Sequence, residues 1–158
     1  MATARQLEQP ITNLYEVDFL AWIEAQTQAL RTRQAGGLDW DNILEEFESM
    51  GRSEKNALRS RLQVLLMHLM KWQWQPKKQS KSWATSIRNQ RLALKYLIKD
   101  SPSLKRLIPE VLPDAWSDAA DEAAFETGLP ISTFPESCPW DIDTQVMADW
   151  WPEGAVSP

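Results

Sequence analysis

The chain has 158 residues, 43% of them apolar and 25% charged, close to the globular average, and no apolar run approaches the roughly 20 residues that span a bilayer. A lone cysteine, Cys138, excludes an internal disulfide framework, and a lone histidine, His68, excludes a His-rich metal site. The net charge of −5 hides a sorted distribution: residues 1–57 carry −5, residues 58–109 carry +11 and residues 110–158 carry −11, so the total describes no local surface.

The first ten residues, MATARQLEQP, lack an apolar signal core and a small-residue cleavage site, which points to the cytoplasm. Residues 18–33 predict the first helix: Asp18 caps it, Phe19, Trp22, Ile23 and Leu30 recur on one side, and Arg31 and Arg33 suit its negative end. Gly36-Gly37 breaks the pattern. Asp39 then starts a second helix in which Trp40, Ile43, Leu44, Phe47 and Met50 share a face, with Gly51 in the left-handed position that closes it. Ser53 caps a third helix that runs to about Gln75, with Leu58, Leu62, Leu65, Leu66, Leu69 and Trp72 on its inner face and Pro76 as its stop. A lysine-rich turn, 76–81, leads to a fourth helix over 82–99, whose apolar face is Trp83, Ile87, Leu94, Leu97 and Ile98. Ser101-Pro102 opens a short fifth element that Pro109 and Pro113 interrupt. Asp114 caps an alanine-rich sixth helix, 115–127, ended by Gly128. Residues 129–140 hold three prolines and predict an extended loop pinned by Phe134 and Trp140, and 142–149 add a last turn or two.

No segment alternates with period two, so the fold is read as all-α. It is a single compact bundle of about six helices with a Pro/Trp-rich C-terminal extension packed back on it. A lead of 1–13, a helical domain of 14–152 and a tail of 153–158 divide the chain. Five strings in order, EEFESMGRSE (45–54), HLMKWQWQP (68–76), SWATSIRNQR (82–91), DSPSL (100–104) and TGLPISTFPESCPW (127–140), resemble the bacterial, cyanobacteria-rich domain-of-unknown-function 29 family over roughly Leu14 to Pro152. That resemblance implies a compact helical fold and carries no catalytic residue with it.

Three constellations could carry chemistry. On the fourth helix Arg88, Arg91, Lys95 and Lys99 fall at spacings of 3, 4 and 4, with Lys77, Lys78 and Lys81 at its start, so a cationic ridge results. With Trp74 and Trp83 exposed beside it, such a ridge would track phosphates while indoles stack on bases; the plainer reading is a solvated face neutralised by the acidic C-terminal third. On the second helix Asp41, Glu45 and Glu48 share a face, and with His68 across a helix pair Glu45 and Glu48 would form a catalytic set of metal-dependent hydrolase type; a half-buried His68 satisfied by a Glu or a backbone carbonyl is the commoner outcome. A Cys138–His68 nucleophilic pair lacks any activating helix terminus, and Cys138 reads instead as a small apolar plug beside Trp140.

Of the nine tryptophans, Trp22, Trp40, Trp72 and Trp83 fall on core stripes and Trp140, Trp150 and Trp151 in the acidic third, Trp116 is able to join either, and Trp74 flanks the lysine turn. The acidic third is expected to fold back on the basic helices, anchored by Trp116, Trp140, Trp150 or Trp151. The function expected is a non-enzymatic protein–protein interaction module without metal or cofactor, its partner a protein, self-association included. Nucleic-acid binding through 77–99 and metal-dependent hydrolysis are the alternatives.

Overall fold

The computed structural model describes residues 10–153, with side-chain surroundings from Leu14 onward. It is all-α: α1 (Pro10–Val17), α2 (Phe19–Arg31), α3 (Trp40–Trp74), α4 (Lys81–Asp100) and α5 (Ile108–Thr127), linked by short 3-10 turns. Inside α3, between Arg52 and Ser53, the chain divides into two compact units.

In the N-terminal unit, α1 begins within the segment read as a lead. Asp18 caps α2 by accepting the Ala21 N–H at 3.0 Å. Trp22 is buried, with Tyr15 edge-on at 4.9 Å and Phe19 stacked at 5.6 Å. Its indole N–H donates to Asp39 at 3.1 Å, the Asn42 amide donates to the same carboxylate oxygen, and the Asp39 N–H donates to the buried Gln26. Asp39 therefore ties α2 to the start of α3. Helix α2 ends at Arg31, short of the expected 33, because the Thr32 hydroxyl donates back to the Gln28 carbonyl and Arg33 turns into the left-handed region at φ 54°.

Where the sequence indicates two helices meeting at Gly51, the structure has one, the 35-residue α3. Gly51 does not adopt a positive φ, and a helical glycine costs only about 1 kcal/mol, which the flanking helix formers offset. The expectation of Trp40 as core is also corrected, since it is 63% exposed.

The C-terminal unit holds the large core. Leu58, Leu62, Leu65, Leu66 and Leu69 of α3 are fully buried in one cluster with Ile87 and Leu94 of α4 and with Ala115, Ala119 and Ala123 of α5. The alanine stripe at four-residue spacing lets α5 lie close to its neighbours. Ser80 caps α4, its hydroxyl accepting the Trp83 N–H at 3.2 Å. Arg59 pairs with Asp118, Gln63 donates to Glu122 and Lys71 pairs with Glu126, so α3 and α5 run in the same direction along this contact. α5 starts at Ile108 rather than Ala115. Pro109 lies in its first turn, where an N–H has no partner to lose, and Pro113 removes a single ladder bond. Gly128, at φ 73°, supplies the left-handed stop.

The chain after Gly128 returns over the helices, as expected. The Trp116 indole donates to the Pro135 carbonyl at 2.7 Å, and Trp140 packs against Trp116 at 5.3 Å and Trp150 at 5.7 Å. Trp74 meets Phe134, and Trp72 meets Trp151 at 4.6 Å. Charge sorting has an internal use here: Arg59–Asp118, Lys71–Glu126 and Lys105–Asp143 each join the basic stretch to the acidic one. Ile142–Val146 forms one turn of π-helix, capped by Asp141, whose carboxylate accepts both the N–H and the hydroxyl of Thr144 at 2.7 Å and is held below its ordinary pKa by those bonds.

Candidate functional site

The cationic ridge divides in the structure. Lys77 and Lys78 sit in the exposed turn Pro76–Lys78, and Lys81, Arg88, Lys95 and Lys99 are exposed along α4. Arg91 is instead half-buried and turned onto the returning chain. Its Nε–H donates to the Val146 carbonyl at 2.8 Å, its Nη2 donates to the Trp150 carbonyl at 2.5 Å and more weakly to that of Gln145, and the guanidinium lies 5.5 Å from the Trp151 ring centroid. Burial lowers its pKa, with the charge of Asp149 pushing the other way.

Beside Arg91, α4 and the returning chain enclose an open groove of about 730 Å³. Arg88, Lys95 and Lys105 stand at its rim, and Leu92, Ile98 and Met147 supply apolar surface. Lys105 is 3.5 Å from Asp143, whereas among the described residues Arg88 and Lys95 make no ion pair. The groove thus combines apolar surface with an excess of cations over the carboxylates of Asp143 and Asp149, in the size range of ligand and peptide sites. Leu92, 51% exposed, is the groove residue that sequence reasoning misses; its signal is legible, since it falls outside the Ile87/Leu94/Leu97 stripe of α4.

The N-terminal unit presents a second surface. Trp40, Leu44, Phe47 and Met50 are 63%, 58%, 65% and 62% exposed, and their spacing keeps the first three on one face of α3. At about 150–250 Å² for a large side chain, the three on that face expose roughly 400 Å², within the size range of the patches that serve as interaction sites on monomers. Asp41, Glu45 and Glu48 flank it on one side, with Glu45 3.0 Å from Arg52. Behind it, the Tyr15 hydroxyl donates to Glu46 at 2.5 Å; that bond, with some burial and the negative charge around it, raises the tyrosine pKa.

The remaining candidates are placed singly. Glu45, Glu48 and His68 all lie on one helix, α3, rather than on two. The His68 Nδ1–H donates to the Val64 carbonyl at 2.8 Å, one turn back on its own helix. Among the described residues no group of three His, Cys, Asp or Glu side chains is arranged to hold a metal ion. Cys138 is half-buried with its thiol directed to the Trp140 carbonyl at 3.6 Å, and burial raises its pKa, the opposite of what a nucleophile needs. Trp74 is packed on Phe134 and Trp140, and Trp83 is covered on one face by the Lys71 ammonium at 4.7 Å, so neither indole is a free stacking platform. No described helix is long and apolar enough to cross a membrane.

A family model described as a domain of unknown function, DUF29, matches residues 14–151. No curated protein and no solved structure matches the chain.

Proposed function

We infer that this chain, which belongs to the DUF29 family, is a non-enzymatic protein–protein interaction module whose N-terminal unit supplies the docking face. One observation carries the reading: Trp40, Leu44 and Phe47 stand largely exposed on one face of α3, although their pattern is that of a core stripe. Water is a poor environment for such a ridge, and a partner that covered it would gain the transfer free energy of the whole patch. Trp is also the residue type most enriched where interfaces concentrate their energy. The acidic flank of Asp41, Glu45 and Glu48 would select a partner with basic residues beside an apolar strip. We place this role in the cytoplasm, where the lone thiol of Cys138 stays reduced.

The test compares immobilised wild-type chain with Phe47→Asp under identical extract conditions, with circular dichroism verifying that both are folded. A protein retained by the wild type and lost by the variant supports the reading. Equal recovery by both overturns it.

Nucleic-acid binding is the second reading, favoured by the exposed Lys77, Lys78, Lys81, Arg88, Lys95 and Lys99. It predicts single-stranded binding whose affinity falls steeply with salt and is weakened by Arg88→Glu. The engaged state of Trp74 and Trp83 removes the stacking half of that argument. A hydrolase built on Glu45, Glu48 and His68 draws no support from the placement of those residues.

A further inference from the structure

We propose that the partner of the exposed α3 face is a second copy of this chain, docked through the basic groove of its C-terminal unit. The proposal rests on the interaction reading above and adds the identity of the partner.

The two surfaces are complementary in kind. One is an apolar ridge, Leu44 and Phe47, with carboxylates along one flank; the other is a groove with apolar surface at Leu92, in which the cations Arg88, Arg91, Lys95 and Lys105 outnumber the two carboxylates, Asp143 and Asp149. They are also complementary in spacing. Asp41 and Glu48 are seven residues apart on α3, and Arg88 and Lys95 are seven residues apart on α4. Each interval is about 10.5 Å of helix rise, so two helices laid side by side bring both pairs of opposite charges into register. Between the charges lie Leu44 and Phe47 on one helix and Leu92 on the other, which would exclude water from the centre of the contact. Arg88 and Lys95 are available for this because, among the described residues, neither makes an ion pair. Lys105 is already beside Asp143, and Arg91 is committed to the carbonyls of the returning chain. The contact pairs two different patches, so it is heterologous: it either closes reciprocally or extends from copy to copy.

Sedimentation equilibrium of the full chain tests this. At about 0.1 M salt, where charges act over about 10 Å, the wild type is expected at no less than twice its 18.2 kDa mass, with association at least tenfold weaker at about 1 M salt. Arg88→Glu/Lys95→Glu is expected to be monomeric with an unchanged melting temperature, and adding Asp41→Lys/Glu48→Lys to the same chain restores association. A monomeric wild type overturns the proposal, as does association that is indifferent to salt or to charge reversal, or reversal without rescue. A monomeric wild type that still captures a foreign protein through Phe47 overturns self-docking alone and leaves the interaction reading standing.

Discussion

Replacing Arg91 by Ala removes the strut that holds the returning chain to α4. Two short bonds are lost, at 2.8 Å to Val146 and 2.5 Å to Trp150, with a third at 3.4 Å that contributes little. Hydrogen bonds from a charged donor contribute about 1.5–3 kcal/mol each, which sets an upper range near 3–6 kcal/mol for two. Arg91 is half-buried, so water replaces part of the lost bonding, and the expected loss is about 2–4 kcal/mol. Arg91→Lys keeps the charge but offers one point donor in place of a fork, and should retain about half of that stability. Urea unfolding followed by tryptophan emission reads the effect directly, because Trp140, Trp150 and Trp151 lie in the segment that the guanidinium holds. A loss below about 0.5 kcal/mol on Arg91→Ala would show that the indoles alone hold the chain down, and full retention by lysine would show that one charged donor suffices and the fork adds nothing.

Lys71 has a side chain only 9% exposed, facing Glu126 and the Trp83 ring. Glu126→Gln strands a buried ammonium; because Glu126 is itself 39% exposed, the loss is expected at about 1–3 kcal/mol rather than the full cost of a sealed pair. Lys71→Met should stay within about 1 kcal/mol of wild type by chemical denaturation, and a larger loss would mean that the pair itself stabilises the fold. For Tyr15 the folded state favours the neutral phenol, so its contribution is complete below the unfolded value near pH 10 and is lost as pH rises through the raised folded value. Ultraviolet titration of Tyr96→Phe should place the remaining phenolate transition above that of a free tyrosine, with Glu46→Gln bringing it back. A transition at the free value would deny the Tyr15–Glu46 bond.

Much of the fold was legible because helices announce themselves locally. The leucine run from Leu58 to Leu69, the Asp18 cap and the Gly128 stop each rest on contacts within a few residues of sequence. Boundaries failed where two local signals competed. Gly51-Arg52-Ser53 reads as a stop and a restart, yet helix continues through it, and Pro109 and Pro113 read as interruptions although one falls where α5 has no bond to lose. The site was less legible. Arg88, Arg91 and Lys95 look alike on a helical wheel, but the returning chain arrives over Arg91 and leaves the other two at a groove.

What the sequence by itself determined is the all-α class, the identity of the apolar stripes and the sorting of charge that later pairs Arg59, Lys71 and Lys105 with acids far along the chain. What only the tertiary structure decided is which stripe is covered. Leu58, Leu62 and Leu65 and Trp40, Leu44 and Phe47 have the same periodicity on the same helix, yet the first set is sealed and the second is open to water. Periodicity is a property of one helix, whereas burial depends on which distant segment comes to lie over it, and that choice is made by non-local packing.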